Sequence, residues 1–100
     1  MQNDSIYITV NHLDDFNSTY MFRSGDILTL KKDPDNYYDD EAIVAYDKQR
    51  CKCGYVANSV STVARGTYSA GRVYDKIPDE IDCEICFITE GLLIGRIIEL

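Results

Sequence analysis

Short runs of alternating apolar and polar side chains constrain the fold of this chain more than any other feature. Ile6, Ile8 and Val10 stand on one face of a first run, with Tyr7 and Thr9 on the other, as successive side chains of an extended strand must. Residues 26–31 make a second run, entered through a Ser24-Gly25 turn. Ala42-Ile43-Val44-Ala45-Tyr46 is a third, and residues 52–57 are a fourth. In the fifth, Ile81, Cys83, Ile85 and Phe87 alternate with Asp82, Glu84 and Cys86, which predicts a half-buried strand with Cys83 and Phe87 facing inward. Glu90-Gly91 is a two-residue hairpin signal, and residues 92–98 form the sixth and most apolar run. One helix is predicted after the fourth strand. Asn58 and Ser59 suit its N-cap, Val60, Val63 and Ala64 fall at i, i+3 and i+4, Arg65 complements the dipole, and Gly66 follows the end. Residues 67–79 predict a structured loop. Within 100 residues that lack repeats and low-complexity linkers, this pattern predicts one mainly β domain over residues 1–100. Its expected form is a small six-stranded β-barrel with one short helix, closed so that few edges are exposed.

The charge balance sets limits on what such a barrel binds. Seventeen acidic side chains against ten basic give a net charge of −7 at pH 7, which excludes broad binding to phosphate backbones or anionic membranes. Along the chain the balance is uneven. Residues 33–47 carry six carboxylates (Asp33, Asp35, Asp39, Asp40, Glu41, Asp47) and no base, whereas residues 48–76 carry six bases (Lys48, Arg50, Lys52, Arg65, Arg72, Lys76) against Asp75 alone. The second segment is a candidate phosphate-facing surface; whether its charges gather in space is not decided by proximity in sequence. The Met1-Gln2-Asn3-Asp4-Ser5 start carries no leader pattern, and the late apolar run ends at Arg96, far short of the roughly 20 residues a membrane span needs. A cytoplasmic protein without membrane partners is expected.

The densest constellation is Lys32-Asp33-Pro34-Asp35-Asn36-Tyr37-Tyr38-Asp39-Asp40-Glu41-Ala42-Ile43. Pro34, Asp35 and Asn36 predict a turn between two strands, which sets two tyrosine rings and several carboxylates at the mouth of the barrel. An aromatic face beside carboxylate and amide groups suits a terminal base and its sugar hydroxyls. The same residues equally suit a polar loop in which Asn36 and Asp39 bond their own backbone. A calcium loop of EF-hand type is excluded, because the sixth position from Asp33 is Tyr38 and the twelfth is Val44.

This segment, followed after some ten residues by Cys53-Gly54-Tyr55-Val56, resembles the signature of HIRAN domains. Gly25-Asp26 with Leu28 and Leu30, and the later Tyr55–Ser59, Thr62–Gly66 and Ser69–Arg72 stretches, extend the resemblance to nearly the whole chain, toward a free-standing bacterial-type member. The resemblance implies an OB-like barrel that binds single-stranded DNA and captures a free 3′ end. It implies that Tyr38 stacks on the terminal base and Asp39 accepts a hydrogen bond from the 3′-hydroxyl. Asp35 and Asn36 would contact the sugar or base edge, Tyr55 would lie beside the strand, and Asn58 stands where a phosphate-binding Lys is expected. Arg65 and Arg72 are candidates to compensate for that loss. A larger helicase or repair protein is an implied partner, although this chain carries no ATPase motif. The stretch Asn11-His12-Leu13-Asp14-Asp15-Phe16 lacks the basic residue and aromatic pair of DNA-binding relatives, and Asp35 replaces a common Asn; each change weakens phosphate affinity.

Two further sets of residues bear on function. Cys51, Cys53, Cys83 and Cys86 admit a structural zinc site. Alternation, however, puts Cys51 and Cys53 on one face and Cys83 and Cys86 on opposite faces, so buried free thiols and no cofactor are expected. His12, with Asp14 and Asp15 nearby, admits base chemistry, but no nucleophile at a recognisable turn and no Gly-rich phosphate loop accompanies it. The expectation is a non-catalytic nucleic-acid-binding module. The alternatives are an acidic protein-interaction or regulatory module without DNA binding, and a zinc-stabilised binding domain.

Overall fold

The computed structural model describes residues 5–13, 22–59, 61–89 and 91–98. Its strands are β1 (Tyr7–Asn11), β2 (Ile27–Lys32), β3 (Ile43–Tyr46), β4 (Lys52–Val56), β5 (Glu80–Thr89) and β6 (Leu92–Ile97), with one helix, α1 (Ala70–Tyr74), between β4 and β5. They close into an antiparallel barrel in the order β1-β4-β3-β2-β5-β6, β6 returning to β1 with Ile8 opposite Gly95 and Val10 opposite Leu93. The expected mainly β barrel with one short helix is therefore the fold. No helix among the described residues is long and apolar enough to cross a membrane.

Inward positions follow the alternation: Ile8, Val10, Leu28, Leu30, Ile43, Cys83, Ile85 and Leu93 are all at most 1% exposed. Parity breaks at two bulges. Between β5 and β6, Ile85 pairs with Gly95 but Phe87 with Ile94, so Cys86 is an extra residue. That extra residue reverses the faces downstream: Phe87, expected in the core, is 66% exposed, and Ile88 packs against the core instead. Between β3 and β4, Ala45 pairs with Gly54 and Tyr46 with Lys52, leaving Cys53 as the extra residue. Cys51 lies outside the strand and is exposed while Cys53 is buried, so the two do not share a face as alternation suggested.

The helix is also displaced from its expected place. Residues 61–67 form successive turns, and α1 lies within the segment expected to be a loop; Val60 lies outside the described residues. The cause is Thr9, fully buried on the outer side of β1. Its Oγ1 accepts the Ala64 N–H at 3.1 Å, a donor that a continuing helix would direct to the carbonyl four residues earlier. The Thr9 hydroxyl meets Thr67 Oγ1 at 2.8 Å, and Thr67 donates to the Ala64 carbonyl at 2.7 Å. This closed ring satisfies a buried hydroxyl and pins the segment to β1 as a turn, with Gly66 at φ +89°. Helix α1 starts instead at Ser69, whose side chain accepts from the Arg72 N–H, and it buries Ala70 and Val73 against the core.

Candidate functional site

The Lys32–Ile43 segment folds onto itself before it meets anything else. Asn36 Oδ1 accepts the N–H groups of Tyr38 at 2.9 Å and Asp39 at 3.0 Å, while its Nδ2 donates to Asp33 Oδ2 at 3.1 Å. Asn36 is thus the brace of the loop, and the self-bonded loop and the presentation of aromatic and carboxylate groups are one arrangement. The Asp39 carboxylate is fixed at both oxygens. Oδ1 accepts the Glu41 N–H at 2.9 Å, and Oδ2 accepts Asn58 Nδ2 at 2.8 Å. Each carboxylate oxygen has room for roughly two donors, so Asp39 is held in place with acceptor capacity to spare. Asn58 is in turn anchored, its Oδ1 accepting the Gly71 N–H of α1 at 2.7 Å. A side chain on Gly71 would put its Cβ 2.8 Å from Glu41 Oε1 and 3.2 Å from Asn58 Oδ1, so glycine there lets the helix backbone approach this strut.

Asn36, Tyr38, Asp39, Tyr55 and Asn58 border one cleft of about 430 Å³. These are five of the eight residues predicted from sequence. Its apolar side is Ile43, Val56 and Ala57, and its far wall is Asn11 and His12. Asn11 sits opposite Tyr55 in the β1–β4 ladder, and His12, at φ +63°, stands edge-on to the Tyr55 ring with centroids 6.1 Å apart. Neither Asn11 nor His12 was singled out from sequence as a binding residue; only the pairing of β1 with β4, which joins residues far apart in the chain, brings them here. Asp14, Asp15 and Phe16 lie outside the described residues.

Polarity and exposure define what this cleft can accept. Tyr38 is 90% exposed, and so is Tyr37, packed edge-to-face against it with centroids 5.0 Å apart. Among the described residues bordering the cleft, Asp39 is the only acidic one, and none is Lys or Arg. The other carboxylates of the segment lie elsewhere. The Tyr74 phenol is pushed above its usual range by desolvation first, and then by the charges of Asp79, Asp40, Glu41 and Asp33, while Lys32 Nζ lies 4.7 Å above the Tyr74 ring. The Tyr74 ring is thus where the carboxylates of Asp33, Asp40 and Glu41 and the Lys32 ammonium act together. At the cleft, an open aromatic ring stands beside a fixed acceptor.

The structure does not bring Asp35, Arg65 or Arg72 into this cleft. Asp35 is exposed in the turn closed by the Asn36 N–H and the Asp33 carbonyl, 3.1 Å apart. Arg65 and Arg72 border a neighbouring cleft of about 340 Å³, which Asn58 also borders. Of the other bases of the positive segment, Arg50 pairs with Glu80 at 3.5 Å, and Lys48 borders a separate cleft together with Asp26 and Asp47. As for the thiols, Cys53 and Cys83 are buried, Cys51 is exposed and Cys86 is half-buried. No three His, Cys, Asp or Glu side chains among the described residues are grouped to hold a metal ion.

A family model described as HIRAN domain matches residues 6–76, which take in β1 to β4, the tyrosine loop and α1. No curated protein and no solved structure is matched.

Proposed function

Because the chain belongs to the HIRAN family, whose domains are nucleic-acid-binding modules and not themselves catalytic, we propose that its cleft receives the free 3′ end of a DNA single strand. The observation that carries this reading is the pairing of a 90% exposed Tyr38 ring with an Asp39 carboxylate held by Asn58 and the Glu41 N–H. The terminal base stacks on Tyr38, an interaction worth about 1–3 kcal/mol per base. The terminal sugar presents its hydroxyl to Asp39. A carboxylate is a sound partner for a nucleic-acid end only where that end offers a donor, and it repels a terminal phosphate. Tyr55 and His12 close the side of the cleft, and Asn36 and Asn58 keep the loop in shape. Capture of an end in this way serves a larger helicase or repair protein that acts on it.

The test is a titration of labelled single strands that differ only at the 3′ position, hydroxyl or phosphate, at two salt concentrations. The hydroxyl strand is expected to bind and the phosphorylated one to bind at least tenfold more weakly. Tyr38→Ala and Asp39→Ala should each abolish that preference. Equal affinity for the two ends would refute end capture. Absence of binding to any strand at low salt would leave the acidic surface as a site for a basic protein partner.

A further inference from the structure

Among the described residues no Lys or Arg borders the proposed end-binding cleft, yet a DNA strand that enters it brings phosphates with it. We propose that the adjoining cleft bordered by Arg65 and Arg72 is a phosphodiester subsite for the linkages next to the terminal nucleotide; this rests on the reading of the first cleft as the seat of the 3′ end.

Contiguity is the first support. Asn58 borders both clefts, so a chain leaving the Asp39 side past Asn58 meets the arginines directly. The charge state of the subsite is the second. Among the described residues, neither Arg65 nor Arg72 forms an ion pair and no carboxylate borders their cleft. Both border this one cleft, while Arg50 pairs with Glu80 and Lys48 borders another cleft with Asp26 and Asp47. Two guanidinium groups bordering one cleft, unpaired among the described residues, make a local anion site on an otherwise acidic protein, and planar guanidinium forks match phosphate oxygens.

Preorganisation is the third support. The Arg72 guanidinium lies over the Tyr68 ring, 4.2 Å from its centroid, and Tyr68 is bridged to Ile8 of β1. Arg65 belongs to the turn that the Thr9–Thr67–Ala64 ring fastens to the same strand. Both cations are carried by backbone tied to the barrel, so less freedom is lost when a phosphate arrives. The two clefts divide the labour by charge: a carboxylate and a ring for the uncharged nucleoside end, and two arginines for the anionic links behind it. That division also sets strand direction, because a terminus bearing phosphate in the first cleft would meet Asp39.

The experiment uses short single strands with a free 3′-hydroxyl in which one linkage at a time is an uncharged methylphosphonate, titrated against the parent and an Arg65→Ala/Arg72→Ala variant. For the parent, neutralising the first or second linkage from the 3′ end should weaken binding about tenfold, and neutralising linkages farther away should change it less than twofold. In the double variant the unmodified strand should bind about tenfold more weakly, and the position of the neutral linkage should no longer matter. The slope of log affinity against log salt should also fall by about 0.7 for each phosphate that an arginine no longer neutralises. Preference for a 3′-hydroxyl over a 3′-phosphate should survive in the double variant, because Asp39 is untouched. A parent that shows end preference but no dependence on linkage position overturns the subsite and leaves the end-binding cleft standing. A parent that shows no end preference overturns both. Arg65→Lys/Arg72→Lys, which keeps the charge but not the guanidinium fork, should retain a weakened positional pattern, whereas an alanine double variant that loses binding and also melts far below the parent would mark the arginines as supports of the fold.

Discussion

Gly54 is the position at which a single methyl group tests how the barrel makes its cleft. A Cβ at Gly54 would lie 2.5 Å from the Asn11 carbonyl oxygen, 2.7 Å from Val10 Cγ1 and 3.2 Å from Leu13 Cδ2. None of these neighbours yields easily. The carbonyl belongs to the backbone where β1 ends, and Val10 and Leu13 are fully buried. Gly54→Ala therefore forces β1 and β4 apart by about half an ångström, an overpacking that costs about 1–3 kcal/mol. A smaller effect opposes it, since alanine lowers the entropy of the unfolded chain by an equivalent of about 0.4–1 kcal/mol. The net expectation is a destabilisation of about 1.3 kcal/mol, or about 5–10 °C in melting temperature for a domain of this size.

The damage should reach the cleft, because Asn11 and His12 form its wall and His12 stands against Tyr55. Thermal unfolding followed by circular dichroism gives the stability, and a titration with a 3′-hydroxyl strand well below the transition gives the binding. Val10→Ala in the same background separates the contributions. It removes the Cγ1 clash and leaves the carbonyl clash, so the double variant should be less destabilised than the sum of the two single variants. A Gly54→Ala protein melting within about 3 °C of the parent, with the cleft still binding as before, would refute the close-approach reasoning.

Three other expectations follow from the same geometry. Asn58→Asp keeps an acceptor for the Gly71 N–H but sets a carboxylate against Asp39 in place of the 2.8 Å amide donor; the ratio of affinities for 3′-hydroxyl and 3′-phosphate strands should fall severalfold while the melting temperature moves little. Thr9→Val breaks the ring through Ala64 and Thr67 and should destabilise the fold by about 1–3 kcal/mol through an unsatisfied buried N–H, with faster amide exchange at Ala64 measured by NMR. Burial, as the leading cause, raises both the Cys53 and Cys83 thiols from 9.0 to about 12. A raised folded value contributes stability that is complete below the unfolded pKa and is lost as pH climbs to the folded one. Denaturant midpoints should thus fall between about pH 9 and pH 12, and less steeply in Cys83→Ala; at pH 8 a thiol reagent should label exposed Cys51 long before either buried thiol.

The parts of the fold that alternation alone determines are the parts legible in the sequence. Ile8 and Val10, Leu28 and Leu30, and Cys83 and Ile85 are inside because period two has no competitor there. Legibility stops at Cys86, where one inserted residue turns Phe87 outward, and a bulge leaves no signature in the run of residue types. It stops again at Asn58–Gly66, whose caps and apolar spacing suit a helix although its Ser, Thr and Val residues are weak helix formers. Thr9, some fifty residues earlier, takes the Ala64 N–H, and this tertiary bond overrides the local pattern. The site follows the same division. Asn36 and Asp39 act within a few residues of themselves, so their arrangement is a local property of the loop. Asn11, His12 and the Asn58–Asp39 bond depend on strand order, and no spacing along the chain encodes them.

The charge distribution shows why the fold matters more than the total. Net charge of −7 opposes approach of a polyanion, yet exposed charges farther apart than about 8 Å are largely screened at physiological salt. Local placement therefore decides. Asp33, Asp40, Glu41 and Asp79 act on Tyr74, Glu80 answers Arg50 and Glu84 answers Arg96. None of these six carboxylates borders the cleft. Among the described residues, the cleft is bordered by one carboxylate, fixed by Asn58, and the cleft beside it by two arginines that form no ion pair. An extended phosphate backbone would find few cations over most of this surface, whereas a single terminus with one or two linkages would find each of its groups matched. On the proposed reading, such a chain should favour ends over lengths of nucleic acid, and raising salt should weaken its binding with a slope set by two arginines and not by ten basic residues.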